Sequence, residues 1–415
     1  MSPTPRAALA LVGLALAALV VPLWLVALAT VALAGATIAD ARAVRRAPAF
    51  DRRLPAILSR GVSAPLRIVA DLPEASRRRL RQAAPPDLCV EPAEADGELD
   101  AALVARRRGR HTLPGVAGRF EGPLGLGAWH HRSAREAQLL VYPDMPAARR
   151  LSMAVRHGRF RDPGRLTRGP LGFGTEFESI REYLPDDDIR QVNWRATARV
   201  GRPMSNQYRV EQDRDVVCVI DAGRLMAAPL GDLTRLDAAI DAAVAVALVA
   251  DEVGDRCGAV AFDAQVRVLL RPRRSGGQVV VRGLFDLEPT SIDSDYELAF
   301  RTIDNAKRSL MMVFVDLLED AAAKPLIEAV PVLARRHHVV VASSADAELE
   351  AFVRTPPERE SDVYAAAVAL DVLGARQRVA RQLRSVGADV LEAPPGKLAG
   401  ACVRSYLRAK ARARL

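Results

Sequence analysis

The sequence predicts an α/β protein in three successive parts: an N-terminal transmembrane hairpin, a small β-sandwich, and a doubly wound, mainly parallel sheet. Three observations support this. No charged residue occurs from Ala7 to Ala39. Short apolar stretches alternate with Gly and Pro between Leu54 and Tyr142. Beyond Asp215, strongly apolar runs alternate with segments of helical period, the pattern of strand-helix units.

The apolar N-terminal stretch belongs in a membrane, because it is too hydrophobic for a soluble helix. As one helix its 33 residues would measure roughly 50 Å, well beyond a hydrocarbon core of ~30 Å. Pro22 therefore favours two short helices. Arg6 precedes the stretch, and a basic cluster follows it, made of Arg42, Arg45, Arg46, Arg52 and Arg53. This charge distribution predicts that both ends lie in the cytoplasm.

A single tilted span is the alternative to the hairpin, and it would also hold the C-terminal part inside the cell. A cleaved signal peptide fits less well, because its apolar core would be only about 7–15 residues long. We therefore predict that residues 1–50 form a retained anchor that contacts membrane lipid. The protein is then a multi-pass protein of the cell membrane with cytoplasmic soluble domains.

Residues 51–147 are predicted to form the β-sandwich. Leu66–Ala70 and Leu139–Val141 are strand-like apolar runs, and Gly and Pro mark the turns between such runs. The exception is Ala75–Ala84, whose arginine-rich SRRRLRQ core we predict to be a surface helix or loop.

Residues 148–211 are predicted to be a linker that contains an unusual segment, GTEFESIREYLPDDDIRQVNWRATAR at positions 174–199. This signature segment resembles the defining segment of the family catalogued as domain of unknown function 58. The matching positions are Gly174, Glu176, Phe177, Arg181, Glu182, Tyr183, Pro185, Asp187, Asp188, Arg190, Trp194, Arg195 and Arg199. Asp186 stands where the family usually has glycine, which puts the local turn in doubt.

The resemblance extends beyond this segment. Arg106–Trp129 contains an Arg-Arg-Gly stretch that leads to a Pro-Leu-Gly-Leu turn, and Val141-Tyr142-Pro143 resembles the closing strand of the family. The density of carboxylates, arginines and Trp194 favours a buried polar network in the signature segment. Direct contact with a partner or ligand is the alternative.

Residues 212–415 are predicted to form the parallel sheet. The expected strands are Asp215–Ile220, Cys257–Phe262, Val266–Leu270, Leu310–Val315, Val339–Ala342 and Ala388–Leu391. The expected helices are Thr234–Val253, Leu326–Arg336 and Asp362–Val386, the first with Thr234 and Asp237 as a capping box. Asp221 and Asp316 then lie at the carboxyl ends of strands, where such sheets bind ligands.

The family resemblance implies that this last part is a von Willebrand A-like domain. Domains of that type that hold magnesium use Asp-x-Ser-x-Ser after the first strand, because the cation prefers oxygen ligands. Here Asp221 is retained, but Gly223 and Leu225 replace both serines. Ser294 or Asp295, with Asp316, are the further oxygen candidates. We expect no cofactor and no magnesium, with Asp221 and Asp316 as the remaining metal candidates.

Other catalytic signatures are missing from the sequence. It contains no phosphate-binding loop, no Gly-x-Ser-x-Gly and no His-Glu-x-x-His. The four cysteines, Cys89, Cys218, Cys257 and Cys402, form no C-x-x-C pair, so zinc and redox sites are not expected. The pairs His130-His131 and His337-His338 lack ligand spacing. We expect no catalytic residues.

The net charge of +9 comes almost entirely from arginine. An anionic partner would explain it, and so would a genome rich in G and C, which raises arginine and alanine together. The basic tail Arg404–Arg414 has the same two interpretations: a site for nucleic acid or anionic lipid, or simply the last helix of the domain. We favour the structural explanation and do not expect nucleic-acid binding.

The resemblance implies a non-catalytic interaction protein that works with a MoxR-type AAA+ ATPase in the assembly or maturation of other proteins. Two alternatives remain open. One is an enzyme with a carboxylate site around Asp187, Asp188, Asp221 and Arg195. The other is arginine-mediated binding of nucleic acid or anionic lipid.

Overall fold

The computed structural model describes residues 1–157, 176–184, 187, 189–209, 213–303, 307–317 and 320–412. Two compact units are present, Met1–Tyr142 and Pro143–Leu415. The first contains the apolar N-terminal segment together with a set of β-sheets, and the second contains a large mixed sheet covered by helices.

The N-terminal segment consists of β1 (Ser2–Pro3), α1 (Pro5–Ala17) and α2 (Leu23–Ala43). The 21-residue α2 is long and apolar enough to cross a membrane, whereas α1 has 13 residues. At 1.5 Å per residue α1 measures about 20 Å, shorter than the ~30 Å hydrocarbon core. Pro22 is the N-cap of α2, so the chain breaks where the sequence predicts.

The rest of the first unit, residues 49–142, is called the β domain here. Its strands are β2 (Ala49–Arg53), β3 (Ile57–Ser59), β4 (Ser63–Asp71), β5 (Arg77–Arg81), β6 (Leu88–Glu91), β7 (Glu94–Asp96), β8 (Leu99–Ala105), β9 (Gly109–Leu113), β10 (Ala117–Glu121), β11 (Gly127–Arg132) and β12 (Ala137–Tyr142). They form sheets ordered β1-β11-β10-β5-β7, β2-β4-β8-β6 and β3-β12-β9. Buried residues such as Leu66, Leu103 and Leu139 form one core between them.

The prediction of a surface helix or loop at Ala75–Ala84 is wrong, because β5 occupies that segment. Leu80 is buried in the core, while Arg77 and Arg79 point to solvent and both pair with Asp96 on β7. The two-residue alternation of a strand separates these faces, and cross-strand ion pairs stabilise the exposed one.

The second unit begins with α3 (Met145–Arg156), β13 (Glu176–Glu182), α4 (Trp194–Val200) and β14 (Met204–Arg209). The α/β region follows, with β15 (Asp215–Asp221), β16 (Pro229–Leu230), β17 (Leu233–Thr234), α5 (Arg235–Glu252), β18 (Arg256–Phe262), β19 (Val266–Arg273), α6 (Gly277–Leu284), α7 (Tyr296–Thr302), β20 (Ser309–Phe314), α8 (Asp320–Ala334), β21 (His338–Ser344), α9 (Ala347–Arg354), α10 (Glu360–Ser385), β22 (Asp389–Ala393) and α11 (Pro395–Ala411).

Six strands of this region form one sheet in the order β19-β18-β15-β20-β21-β22. All neighbours are parallel except β18 and β19. Every residue of the central β15 is buried. Val217 and Val219 pack with Leu326 of α8 and Val379 of α10, whereas Cys218 lies against α5, so helices cover both faces. The predicted mainly parallel sheet is therefore present, and Thr234 and Asp237 form the predicted capping box of α5.

Candidate functional site

The carboxyl ends of β15, β20 and β21 bring several polar side chains to one edge of the sheet. Asp221 ends β15, Asp316 follows β20, and Ser343 and Ser344 end β21. All four are buried. This edge, called the rim here, is where parallel sheets usually hold ligands.

The carboxylate of Asp221 is satisfied by the protein itself. Its Oδ1 accepts hydrogen bonds from the Gly223 amide at 2.7 Å and the Ser294 hydroxyl at 2.5 Å. Its Oδ2 accepts one from the Tyr296 hydroxyl at 2.6 Å. Burial raises the pKa of Asp221, and these three donors oppose that shift. The pKa of Tyr296 is raised well above its usual value by burial and by the neighbouring Asp221.

Ser294 explains why position 223 is glycine. A Cβ at Gly223 would lie 2.2 Å from the Ser294 Oγ and 2.9 Å from the Ile292 carbonyl oxygen, so a serine at 223 would force both to move. The hydroxyl that an Asp-x-Ser motif would supply from 223 thus comes from position 294. Asp295 does not join this group, because it accepts the Leu298 amide as the N-cap of α7.

Asp316 is held by two buried arginines, which we call the arginine clamp. Its Oδ1 lies 3.1 Å from Arg235 Nη1 and 2.6 Å from Arg376 Nη2. Each arginine has a second carboxylate partner: Arg235 pairs with Asp346 and Arg376 with Glu392, both at 3.1 Å. The sequence analysis did not single out either arginine. Arg376 nevertheless precedes Val379 and Leu383 on the inward face of α10, an unusual place for a charge.

The electrostatics of the clamp are dominated by burial. Desolvation raises the pKa of Asp316 even though both arginines lower it. Desolvation also lowers the pKa of Arg235 despite its acidic partners. Burial and attraction therefore act in opposite directions on Asp316 and Arg235, and losing one partner should be destabilising.

The clamp places two guanidinium groups against the same oxygen of Asp316, Oδ1. Among the described residues, no group of three or more His, Cys, Asp or Glu is arranged to hold a metal. Within the same part of the chain, Asp316 Oδ2 and the Ser343 and Ser344 hydroxyls have no hydrogen-bond partner. The rim therefore keeps three buried polar atoms that no described residue satisfies, while Asp316 Oδ1 is paired with both arginines.

The signature segment is only partly described. Gly174, Pro185, Asp186 and Asp188 lie outside the described residues, as do the side chains of Glu176, Phe177 and Arg190. The described part forms the antiparallel pair β13 and β14, with α4 between them in sequence. The sequence analysis did not predict this pairing.

Asp187 organises the turn after β13. Its Oδ1 pairs with Arg181 Nη2 at 2.6 Å, and its Oδ2 accepts the Leu184 amide at 2.9 Å. Its backbone carbonyl accepts the Tyr183 hydroxyl at 3.0 Å. The Leu184 amide, followed by Arg181, lowers the pKa of Asp187. Glu182 pairs instead with Arg202.

The buried polar network predicted for this segment does not include Trp194, Arg195 or Arg199. Trp194 is 69% exposed, Ile189 70% and Leu184 54%. Arg195 and Arg199 are exposed as well. These apolar residues lie between the two strands in sequence, and a two-stranded ribbon offers no enclosed interior in which they could be buried. The geometry thus favours the alternative, contact with a partner.

Residues 179–382 match the family model described as "Protein of unknown function DUF58". The match begins in the signature segment and ends in α10. "Uncharacterized protein Rv1480" from Mycobacterium tuberculosis (strain ATCC 25618 / H37Rv) is 25% identical over 242 residues, covering 53% of this chain and 74% of the relative. "Uncharacterized protein Mb1516" from Mycobacterium bovis has the same identity and coverage.

Two solved structures resemble part of the chain. A cohesin module from a Clostridium perfringens ATCC13124 family 33 glycoside hydrolase covers 23% of this chain and 96% of its own, at 9% identity and a TM-score of 0.16. The sulfur carrier protein SoxY from Chlorobium limicola f thiosulfatophilum covers 26% and 97%, at 14% identity and a TM-score of 0.15. At these TM-scores neither likeness carries an argument.

Proposed function

We propose that this chain is a membrane-anchored, non-catalytic interaction protein whose α/β region is a von Willebrand A-like domain. Its proposed partner is a MoxR-type AAA+ ATPase, and the two would act in the assembly or maturation of other proteins. The family resemblance of the signature segment suggests the partner, and the surface of that segment suggests where it binds.

The observation that carries the proposal is the exposure of three apolar side chains of the signature segment, Leu184, Ile189 and Trp194, which we call the signature surface. The ion pair between Arg181 and Asp187 fixes the turn that carries Leu184. An exposed tryptophan among aliphatic side chains and arginines is typical of the residues that dominate protein interfaces.

The rim supports a non-catalytic role. Asp221 already accepts three hydrogen bonds, and the arginine clamp already neutralises Asp316. A catalytic carboxylate needs access to a substrate proton or a metal. These two carboxylates instead tie α5, α7 and α10 to the strand ends, which is a structural task. An enzyme centred on them is therefore the less favoured alternative.

The membrane assignment rests on α2, which is long and apolar enough to span a bilayer. Both ends of the apolar segment contact the same turn of the β domain, residues 122–127. The Thr4 hydroxyl donates to the Gly125 carbonyl at 2.6 Å, and Asp40 accepts the amides of Leu124, Leu126 and Gly127. This shared contact supports a hairpin with both ends on one side. The flanking arginines favour the cytoplasm as that side.

The first test is affinity capture of the full chain from detergent-solubilised native membranes, with Trp194→Ala beside the wild type. We expect the wild type to recover an AAA+ ATPase and Trp194→Ala to reduce recovery about tenfold or more, as for an interface hot spot. Val332→Ala is the matched control, because Val332 on α8 is also 69% exposed. It should capture like the wild type.

Two results would count against the proposal. Recovery without any AAA+ ATPase would remove the proposed partner. Equal recovery by Trp194→Ala and the wild type would remove the signature surface as the contact. Equal melting temperatures of the two proteins would show that lost capture is not lost folding.

A further inference from the structure

A basic cavity lies at the far edge of the six-stranded sheet, between β22, the end of α10 and α11. Its volume is about 570 Å³, within the range of about 300–1,000 Å³ that is usual for ligand sites. Arg384, Arg404, Arg408, Arg412 and His338 all contribute to its lining. We call this cavity the edge groove.

One wall of the edge groove is an edge strand with open backbone groups. β22 is the last strand of the sheet, and no described strand pairs with its outer side. The Ala393 carbonyl accepts the Ala345 amide and so faces β21. Successive residues of a strand direct their backbone groups to alternate sides, which leaves those of Val390 and Glu392 on the outer edge. The Val390 carbonyl there meets Arg384 Nη2 at 3.5 Å.

The opposite wall is a helix that carries arginines at regular spacing. α11 follows β22 after one residue, Pro394, and packs on β21 and β22, so it runs back along the sheet. Arg404, Arg408 and Arg412 are four residues apart, which places them about 6 Å apart along the helix axis. Every second side chain of an extended peptide is separated by about 6.6 Å. The two repeats nearly match.

The edge groove is lined by four arginines and only two carboxylates. Its two carboxylates have other partners: Asp389 lies 3.3 Å from His338 Nε2, and Glu392 pairs with the buried Arg376 at 3.1 Å. Arg404 is half-buried and forms no ion pair with a described carboxylate. A partly desolvated guanidinium of this kind favours an anionic ligand.

We propose that the edge groove binds an extended acidic segment of a partner protein. The segment lies alongside β22 as an added strand and presents a carboxylate to α11 at every second residue. An open strand edge supplies backbone hydrogen bonds, and the arginines select the side chains. This site is separate from the Trp194 surface, and it does not depend on the identity of the partner proposed there.

The test measures binding of a fluorescein-labelled nine-residue peptide of alternating Glu and Thr to the purified full chain in detergent, by fluorescence anisotropy. We expect Arg404→Glu/Arg408→Glu to weaken binding at least tenfold. Arg149→Glu/Arg381→Glu is the matched control, because it changes the net charge equally at exposed positions outside the groove. It should bind within about twofold of the wild type.

Two further ligands separate this proposal from a general attraction to anions. A peptide of the same composition with its glutamates contiguous should bind at least fivefold more weakly, and so should an alternating peptide N-methylated at every second amide. Equal binding of the contiguous peptide would overturn the spacing argument, and equal binding of the methylated peptide would overturn strand addition.

Inorganic triphosphate is the last ligand to be tested, as a competitor of the peptide. Stoichiometric displacement of the peptide by micromolar triphosphate would identify a phosphate site instead, and absence of peptide binding to the wild type would overturn the proposal outright. Melting curves of Arg404→Gln and Arg404→Glu/Arg408→Glu that match the wild type would show that weaker binding reflects the lost charges.

Discussion

Arg376 illustrates, at the scale of single residues, how one buried charge can join two acidic side chains. Its guanidinium is enclosed, and it joins Asp316 of the rim to Glu392 of β22. We expect Arg376→Met to lower the free energy of unfolding by about 3–5 kcal/mol, because two carboxylates lose their shared partner. Chemical denaturation in detergent measures this. The control is Arg381→Met on the exposed side of α10, with an expected change in the free energy of unfolding below about 0.5 kcal/mol. Similar losses of free energy in both variants would show that the arginine clamp does not stabilise the fold.

Magnesium should have no effect on the protein. Ser294 occupies the space beside Gly223, the Asp221 carboxylate already accepts three hydrogen bonds, and the clamp already compensates the charge of Asp316, so a cation would gain few oxygen ligands at the rim. A magnesium concentration 100 times the Kd would add about 2.7 kcal/mol of stability. We therefore expect an unchanged melting temperature at about 5 mM magnesium. A rise that disappears in Asp221→Ala would show that the rim does bind the ion.

Asp221 should make a contribution to the free energy of unfolding that decreases as pH rises. Its pKa is raised in the folded state, mainly by burial. Between the unfolded pKa, about 3.9, and the raised folded value, the native state binds more protons than the unfolded state. Its contribution to stability is therefore present at low pH and is lost as pH rises through this window.

Asp221→Asn should remove that contribution. The difference in free energy of unfolding, variant minus wild type, is expected to become more positive as pH rises above about 4. Comparison with the wild type cancels the opposite contributions of Asp187 and Asp213, whose pKa values are lowered. A difference that stays constant with pH would contradict the raised pKa.

At the scale of elements, the junction of α2 with the turn 122–127 depends on close approach. A Cβ at Gly127 would lie 2.2 Å from the Thr37 carbonyl oxygen, so glycine lets the strand reach the helix. Asp40 then accepts the Leu124, Leu126 and Gly127 amides at 2.7–2.9 Å. The sequence identified the Pro-Leu-Gly-Leu turn but not its helical partner, because the contact joins residues more than 80 positions apart.

Asp40→Ala should free these three amides. Hydrogen bonds to a buried charge contribute about 1.5–3 kcal/mol each, so hydrogen exchange at Leu124, Leu126 and Gly127 should accelerate at least tenfold in the detergent-solubilised full chain. Asp51→Ala is the control, since Asp51 is exposed and pairs with Arg53. Unchanged exchange in Asp40→Ala would show that the turn is held by other contacts.

The sequence predicted well those elements whose burial in the sheet or against it gives a clear run or repeat of apolar residues. β15 and β18 are uniform apolar runs, and α5 has both an apolar repeat and a capping box. The sequence analysis missed α6, α7 and α9, each of 7 or 8 residues, because two turns give too few apolar positions for a helical period. β5 was hidden because arginine has low strand preference and only cross-strand pairs reveal its alternation.

At the scale of the whole molecule, the sequence predicted where the rim lies but not how it is occupied. Asp221 and Asp316 lie at strand ends as expected, since strand boundaries follow from hydropathy. Arg235 and Arg376 reach Asp316 from positions 81 and 60 residues away. No local pattern encodes such distances. The opposite holds for the signature segment, whose motif is recognisable in the sequence. The exposure of Trp194 could not be predicted, because it depends on the packing of the folded protein around that side chain.

The final prediction concerns how the first unit is inserted in the membrane. Thr4 and Asp40 contact one turn of the β domain, so the start of α1 and the end of α2 lie at the same level. From Leu23 to Asp40, α2 extends about 26 Å, which places Val20 near the opposite face of a ~30 Å core. In intact spheroplasts, a membrane-impermeant maleimide should label Val20→Cys but not Ser2→Cys, in a chain whose four native cysteines are replaced by serine. Permeabilisation should then expose Ser2→Cys. Labelling of Ser2→Cys before permeabilisation would contradict the hairpin and favour a single span with an external N-terminus.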